Sequence, residues 1–376
     1  MAAVSETIDL HWFLPTGGDS RDVLPTSEGN RRPPDRDYLA QIARAADSLG
    51  YVGLLTPCGT ACEDAWLATA ALIPETTRIK FLVAFRPGLL SPTLAAQMAS
   101  TYQRMSEGRL LLNIVTGAEV TEMGRFGDWL DKDTRYRRAA EFLGIMKAAW
   151  GPEPIDRETE HYKVVAATTR ASPDPQPRIY FGGASPVAEE IAAEHVDVYL
   201  AWGEPPDMVR ERLDRMRSLA AARGRTLRFG IRFHVITRDT SDEAWAVADR
   251  ILASMDPAAI AAAQEEFART ASVGQQRMAA LHGGSTDGLE IHPNVWAGIG
   301  LVRGGAGTAL VGSHAEVADR IAEYHDLGFD EFILSGYPHL EEAYWFGEGV
   351  MPLLRERGLL GPDPRRTADS VVSTFR

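Results

Sequence analysis

The chain has 376 residues, 45% of them hydrophobic and 24% charged, with a net charge of −13. That acidity argues against a general nucleic-acid or membrane-surface role, though a local basic site for a small anion remains compatible with it. Two cysteines, Cys58 and Cys62, are too few for a disulfide framework, and with no second pair nearby they make a poor zinc site. No metal is expected. The opening segment lacks a basic region followed by an apolar run, so no secretory leader is expected and the reduced cytoplasm fits best. No apolar run approaches the roughly 18 residues of a spanning helix.

Eight short apolar segments read as strands in chain order: IDLHWFL (8–14), YVGLLTP (51–57), IKFLVAF (79–85), RLLLNIVTG (109–117), RIYFGG (178–183), VDVYLAWG (196–203), RFGIRFHVIT (228–237) and EFILSGYP (331–338). Amphipathic stretches with Ser caps and Gly stops lie between most of them, at 36–50, 91–108, 185–196, 204–224 and 313–328. Continuous apolar strands alternating with helices predict an α/β fold, a (β/α)8 TIM barrel. A doubly wound sheet is the runner-up, but GxGxxG is missing after the first strand, which runs into PTGGDSRD. The spacing breaks over 238–330. Two helical stretches there precede the Gly-rich VWAGIGLVRGGAGTALVG (295–312), which predicts a long insertion and lid before the last strand. The expected organisation is one barrel domain over 1–360 with a loose or neighbour-docking tail over 361–376.

Barrel sites lie at the C-terminal ends of the strands. Asn113 and Thr116 sit at the fourth end. The fifth ends in FGGASP, where Gly182, Gly183, Ala184 and Ser185 are either a phosphate cradle at a helix N-terminus or a tight Ser-capped turn. Trp202, at the sixth end, is a flat wall for a ring or a core residue. Arg232 and His234 interrupt the seventh strand at alternate positions, so both point the same way. A lone cation on a buried strand is costly, which favours a site role. Tyr337 and His339 follow the eighth strand, as site residues or as a turn. Arg303, flanked by glycines, is a lid contact or a surface ion-pair member. Cys62 precedes Glu63 and Asp64, which would raise its pKa, so a covalent nucleophile is disfavoured against a cofactor contact or packing. Together these predict a phosphate-bearing cofactor, an anionic substrate met by arginines, and a lid.

The motifs LHWFLPTGGD, CEDAWLATA, FLVAFRPGLLSPT, GRLLLNIVTG, YFGGASPVAEEIAAEHVDVYLAWGEPP, FGIRFHVITRDTSDEAW, LEIHPNVWAGIGLVRGGAGTALVG and SGYPHLEEAY resemble those of the FMNH2-dependent alkanesulfonate monooxygenases, a bacterial luciferase-like group. The resemblance runs from about residue 8 to 355. It implies a TIM barrel that takes reduced FMN from a separate NAD(P)H-dependent flavin reductase. With O2 it would oxidise the carbon bearing a sulfonate, giving a 1-hydroxysulfonate that collapses to an aldehyde and sulfite. It implies that Arg232 holds the sulfonate or the peroxide. His234 would hold or relay a proton. Tyr337 would shuttle protons or bind sulfonate oxygens, with His339 beside it. Arg303 would close over the flavin against water. Cys62 would lie near the flavin, and FGGAS with Tyr136 would hold its phosphate. A homodimer or homotetramer is implied.

Four departures fall on the loops after strands one and two. Gly17 stands where the alkanesulfonate enzymes have His. Ser27 replaces an acidic residue. Thr60 and Cys58 replace Arg and Thr. Gly17 and Thr60 are expected to leave room for a bulkier or hydroxylated sulfonate such as sulfoquinovose. The alternatives are a general linear alkanesulfonate enzyme, an oxygenase of a sulfone or heterocycle, and a non-catalytic flavin-binding barrel.

Overall fold

The computed structural model describes residues 7–24, 30–117, 119–270 and 272–365. Ser27 and most of the predicted tail lie outside them. Eight strands form the barrel: β1 (Asp9–Phe13), β2 (Gly53–Thr56), β3 (Lys80–Phe85), β4 (Leu110–Ile114), β5 (Ile179–Gly182), β6 (Val198–Trp202), β7 (Arg228–Arg238) and β8 (Glu331–Ser335). Each pairs in parallel with the next, and β8 pairs with β1 to close the ring, with Leu10 opposite Phe332 and Trp12 opposite Leu334. The predicted TIM barrel is the fold.

Alternation along the strands sorts side chains into two layers. Phe13, Leu55, Leu82, Leu111, Tyr180, Val198 and Ile333 pack together inside the barrel. Leu10, Trp12, Leu54, Phe81, Leu112 and Phe233 face the helices in the main core. The helices start where the caps predict. Asp35 accepts from the Tyr38 N–H at the head of Arg36–Leu49, and Gly50 ends that helix at φ 94°. Ser91 caps Pro92–Ser106, Ser185 caps Pro186–His195, and Ser313 forms a capping box with Glu316.

The 238–330 segment carries more regular structure than its glycines suggest. It holds helices Ser241–Ala253, Pro257–Ala268 and Val273–Ala280, and also a strand, Ala309–Ser313. That strand runs parallel to the outer half of β7, from His234 opposite Ala309 to Arg238 opposite Ser313. β7 is eleven residues long, so its first half closes the barrel and its second half extends past the rim. The strand went unpredicted because five apolar and small residues gave little signal beside a Gly-rich run. A hairpin, Ile155–Glu158 with Lys163–Ala167, was also absent from the sequence reading. Among the described residues no helix is long and apolar enough to cross a membrane.

The N-terminal end of the barrel is plugged by charge. Glu331 is fully buried; one carboxylate oxygen lies 3.0 Å from His11 Nε2, and the other accepts from Arg178 at 2.8 Å and Arg228 at 2.9 Å. Asp9 bridges the same two arginines at 3.3 Å each. This end serves stability, and the opposite end is free for chemistry.

Candidate active site

The C-terminal ends of the strands surround a cleft of two joined lobes. The inner lobe is lined by Asn113, Thr116, Tyr136, Gly182, Gly183, Ala184, Ser185, Trp202 and Arg232. These residues come from four different strand ends and one helix. The outer lobe, about 970 Å³, shares Asn113, Trp202 and Arg232 and adds Cys58, Arg86, Glu119, Glu122 and Arg303. It stands at the upper end of the roughly 300–1,000 Å³ of small-molecule sites.

The turn after β5 has no room for side chains. A Cβ on Gly183 would lie 2.6 Å from the Ala188 Cβ and 3.3 Å from the Tyr136 hydroxyl; one on Gly182 would lie 3.0 Å from the Leu200 carbonyl. Tyr199 donates to the Gly183 carbonyl at 2.7 Å, which holds the turn. Ser185 accepts from the Ala188 N–H at 3.4 Å, and Ala184 and Ser185, which lead into that helix, line the cavity wall. A glycine turn, a helix N-terminus and a tyrosine hydroxyl fit a phosphate ester. Gly183→Ala is expected to weaken binding of a phosphate-bearing ligand at least tenfold, read by equilibrium titration, with little change in the far-UV spectrum.

Arg232 defines the other half of the site. Its Nε and Nη2 are buried and have no hydrogen-bond partner, and among the described residues it forms no ion pair. Its guanidinium lies 4.4 Å from the Phe13 ring centroid, and that of Arg303 lies 6.0 Å from the same ring. Burial, then the Arg303 charge, pushes the Arg232 pKa down to about 9, against a smaller opposing effect of Tyr337. Two cations beside one aromatic ring, one of them with unused donors, suit an oxyanion. Arg303 is held inward by its own loop: it donates to the Gly304 and Ala306 carbonyls at 3.2 and 3.4 Å, and the Gly305 N–H donates to Gln275 at 2.8 Å.

His234 shares the face of Arg232 but does not line the cleft. It is 1% exposed, and both ring nitrogens are engaged. Nε2 lies 3.2 Å from the Ala306 carbonyl, so it carries the proton, and Nδ1 accepts from the Ser335 hydroxyl at 2.9 Å. Burial, then the charges of Arg303 and Arg232, holds its pKa well below the usual imidazole value. His234 is thus a neutral positioning residue that ties the Arg303 loop to β7 and β8. Tyr337 stacks on it at 5.4 Å and 18°, and His339 meets Tyr337 edge-on at 5.2 Å. His339 is 3% exposed and bound through Nδ1 to Asp19 at 2.7 Å, with its own N–H on the same carboxylate at 2.8 Å. Burial raises the Asp19 pKa, but the charge and hydrogen bonds of His339 lower it more. The Tyr337 and His339 pair forms a layer behind the cleft.

Cys62 is half-buried and also lies off the cleft. Its pKa is raised, as expected, but burial leads and Glu122 adds to it, rather than Glu63 and Asp64. Burial pushes Cys58 up to about 11. Neither thiol is a nucleophile at neutral pH. The space expected beside Gly17 is filled: a Cβ there would lie 2.9 Å from the Ala61 carbonyl. Thr60 is occupied as well, its N–H on Glu122 at 3.2 Å and its hydroxyl accepting from Arg125 at 3.3 Å.

Several site residues escaped the sequence. Buried Glu204 lines the inner lobe and accepts from Arg212 at 2.7 Å and Arg277 at 2.6 Å, so it docks helix Val273–Ala280 onto the end of β6. Asp19 and Arg86 were also missed. Asp19 sits in a quoted motif, but its partner is 320 residues away.

Residues 8–331 match the luciferase-like monooxygenase family. The chain belongs to that family. This monooxygenase is similar in fold to a riboflavin lyase solved with modified FMN and riboflavin, at 20% identity and a TM-score of 0.80, over 94% of this chain and 93% of that one. It is similar to the EDTA monooxygenase of Chelativorans sp. BNC1, at 20% identity and a TM-score of 0.74, over 96% of each chain. An F420-dependent secondary alcohol dehydrogenase shares the fold at 16% identity and a TM-score of 0.67, over 93% of this chain and 99% of that one.

Proposed function

We propose that this monooxygenase takes reduced FMN from a separate NAD(P)H-dependent flavin reductase and, with O2, cleaves the C–S bond of an organosulfonate. Sulfonate, reduced FMN and O2 give aldehyde, bisulfite, oxidised FMN and water, one oxygen atom ending in the aldehyde and the other in water. The carrying observation is Arg232, a half-buried cation whose Nε and Nη2 are buried and unused, beside Arg303 over one aromatic ring. A tetrahedral oxyanion with three equivalent acceptors meets that need. The glycine turn and Tyr136 support FMN as the cofactor, since its phosphate suits that cradle.

Bound reduced FMN supplies the electrons that activate O2. The chain supplies placement. Arg232 and Arg303 bind the sulfonate and fix the direction of its C–S bond. Neutral His234 holds Ala306, and with it the loop that keeps Arg303 inward and water out. Tyr337, its ring stacked on His234 and met edge-on by His339, backs the arginine pair from behind the cleft. The outer lobe is large enough for a bulky sulfonate such as sulfoquinovose. A homodimeric or homotetrameric assembly and a cytoplasmic location belong to the same reading.

Steady-state sulfite release with FMN, NAD(P)H and a reductase tests this across methane-, octane- and aromatic sulfonates and sulfoquinovose. Sulfite from sulfoquinovose in preference to octanesulfonate is the expected result. Sulfite from linear compounds alone would make this a general alkanesulfonate enzyme. Sulfite from none would remove the desulfonation reading in favour of a sulfone or heterocycle oxygenase, or of a non-catalytic flavin protein.

A further inference from the structure

We propose that Arg86, held by Glu122, is a specificity-determining residue that receives a hydroxyl at the end of the substrate remote from the sulfonate. The inference rests on the sulfonate reading and narrows it to hydroxylated sulfonates.

Arg86 directly follows β3. In a ring of eight strands β3 stands four places from β7, so Arg86 and Arg232 face one another across the barrel mouth. Both line the outer lobe. A molecule anchored by its sulfonate at Arg232 and long enough to cross the lobe ends at Arg86.

Arg86 is 6% exposed. Its guanidinium packs 5.0 Å from the Phe126 ring centroid, and its Nη2 donates to the Glu122 carboxylate. Its Nε and Nη1 are buried with no oxygen or nitrogen acceptor, and the neighbour beside the guanidinium is the Cys58 thiol, a weak acceptor. Buried donors are rarely left unpaired, and an unpaired donor on a cavity wall is one that a ligand satisfies. An alkyl tail would leave them unsatisfied.

Charge decides between a hydroxyl and a second anion. Arg232 has no counterion, whereas Arg86 has Glu122, so Arg86 offers donors without offering net charge. The outer lobe carries four arginines (Arg86, Arg232, Arg269 and Arg303) and three glutamates (Glu119, Glu122 and Glu266), which leaves one positive charge for one sulfonate. Glu119 and Glu266, exposed at the rim, repel a second anion and accept from hydroxyl groups. Donors and acceptors together on one wall suit a polyol, whose hydroxyls do both.

The test compares kcat/KM for sulfite release from sulfoquinovose and from cyclohexylmethanesulfonate, an apolar ring of similar size, in wild type and Arg86→Met. The variant is expected to lose about 10²-fold on sulfoquinovose, mostly in KM, and to stay within about threefold on the apolar analogue. Equal losses on both, or no loss on either, would overturn the proposal. FMN affinity, unchanged in a folded variant, reports the integrity of the barrel. Should Arg86→Met not fold, Glu122→Gln serves: it uncovers the Arg86 charge and is expected to improve binding of hexane-1,6-disulfonate, whose second sulfonate reaches across the lobe, at least tenfold, and no improvement counts against the proposal. If wild type releases no sulfite from either compound, the sulfonate reaction fails by itself. Equilibrium titration of the same two compounds then decides on Arg86, with tighter binding of sulfoquinovose lost in Arg86→Met expected, and no preference, or binding of neither, overturning it.

Discussion

Arg232→Lys is expected, on the proposed sulfonate reaction, to lower kcat/KM for sulfite release by roughly 10²–10³-fold, the range for losing one preorganised oxyanion donor. A lysine keeps the charge but loses the planar fork that lies 4.4 Å over Phe13. Its ammonium cannot offer two fixed donors to one sulfonate. The same position makes a second, opposite effect on stability. Arg232 is a half-buried cation, its Nε and Nη2 fully buried, with no ion-pair partner among the described residues, and its charge is further opposed by Arg303. Arg232→Met therefore raises the melting temperature while abolishing turnover, as expected where a site holds strain for function. Sulfite kinetics and differential scanning fluorimetry read the two effects separately. Activity within threefold of wild type in Arg232→Lys would mean that the anion is anchored elsewhere.

At the other end of the barrel the largest effect is on folding. Glu331→Ala destabilises by about 3–5 kcal/mol, because removing one partner leaves the others unpaired in a buried network. Asp9 still bridges Arg178 and Arg228, and both arginines are about one-third exposed, which places the loss toward the lower figure. Burial raises the Glu331 pKa, but His11 and Arg178 more than offset it and bring it down to about 2. The unfolded chain binds that proton near pH 4.3. The contribution of Glu331 is therefore complete above about pH 4.3 and is lost as pH falls to about 2. Urea unfolding at a series of pH values shows this as an acid limb in wild type that is shallower in Glu331→Ala. An unchanged acid limb would place the acid sensitivity in other carboxylates.

The barrel was legible because continuous apolar strands and capped helices are local signals. Arg232 was legible as an exception, a cation where the pattern calls for an apolar residue. The turn at Gly183 was legible because glycine before a capped helix leaves few uses. What stayed hidden depends on contacts distant in sequence. The Arg277 to Glu204 bond spans 73 residues, and Arg86 reads as an ordinary strand-end arginine until β3 is seen opposite β7. Gly17 shows the converse error: a missing side chain implied a space that the Ala61 carbonyl occupies. His234 was placed on the right face, but nothing local revealed that Ser335 and Ala306 consume both its nitrogens.

The most direct test is a single turnover without reductase. Reduced FMN is bound to the protein anaerobically in the presence of sulfoquinovose, mixed with O2, and the sulfite is counted against flavin oxidised. The account predicts sulfite approaching one per bound reduced FMN, with none when Arg232→Met replaces the wild type. Complete flavin oxidation with no sulfite from sulfoquinovose or any other sulfonate would contradict it.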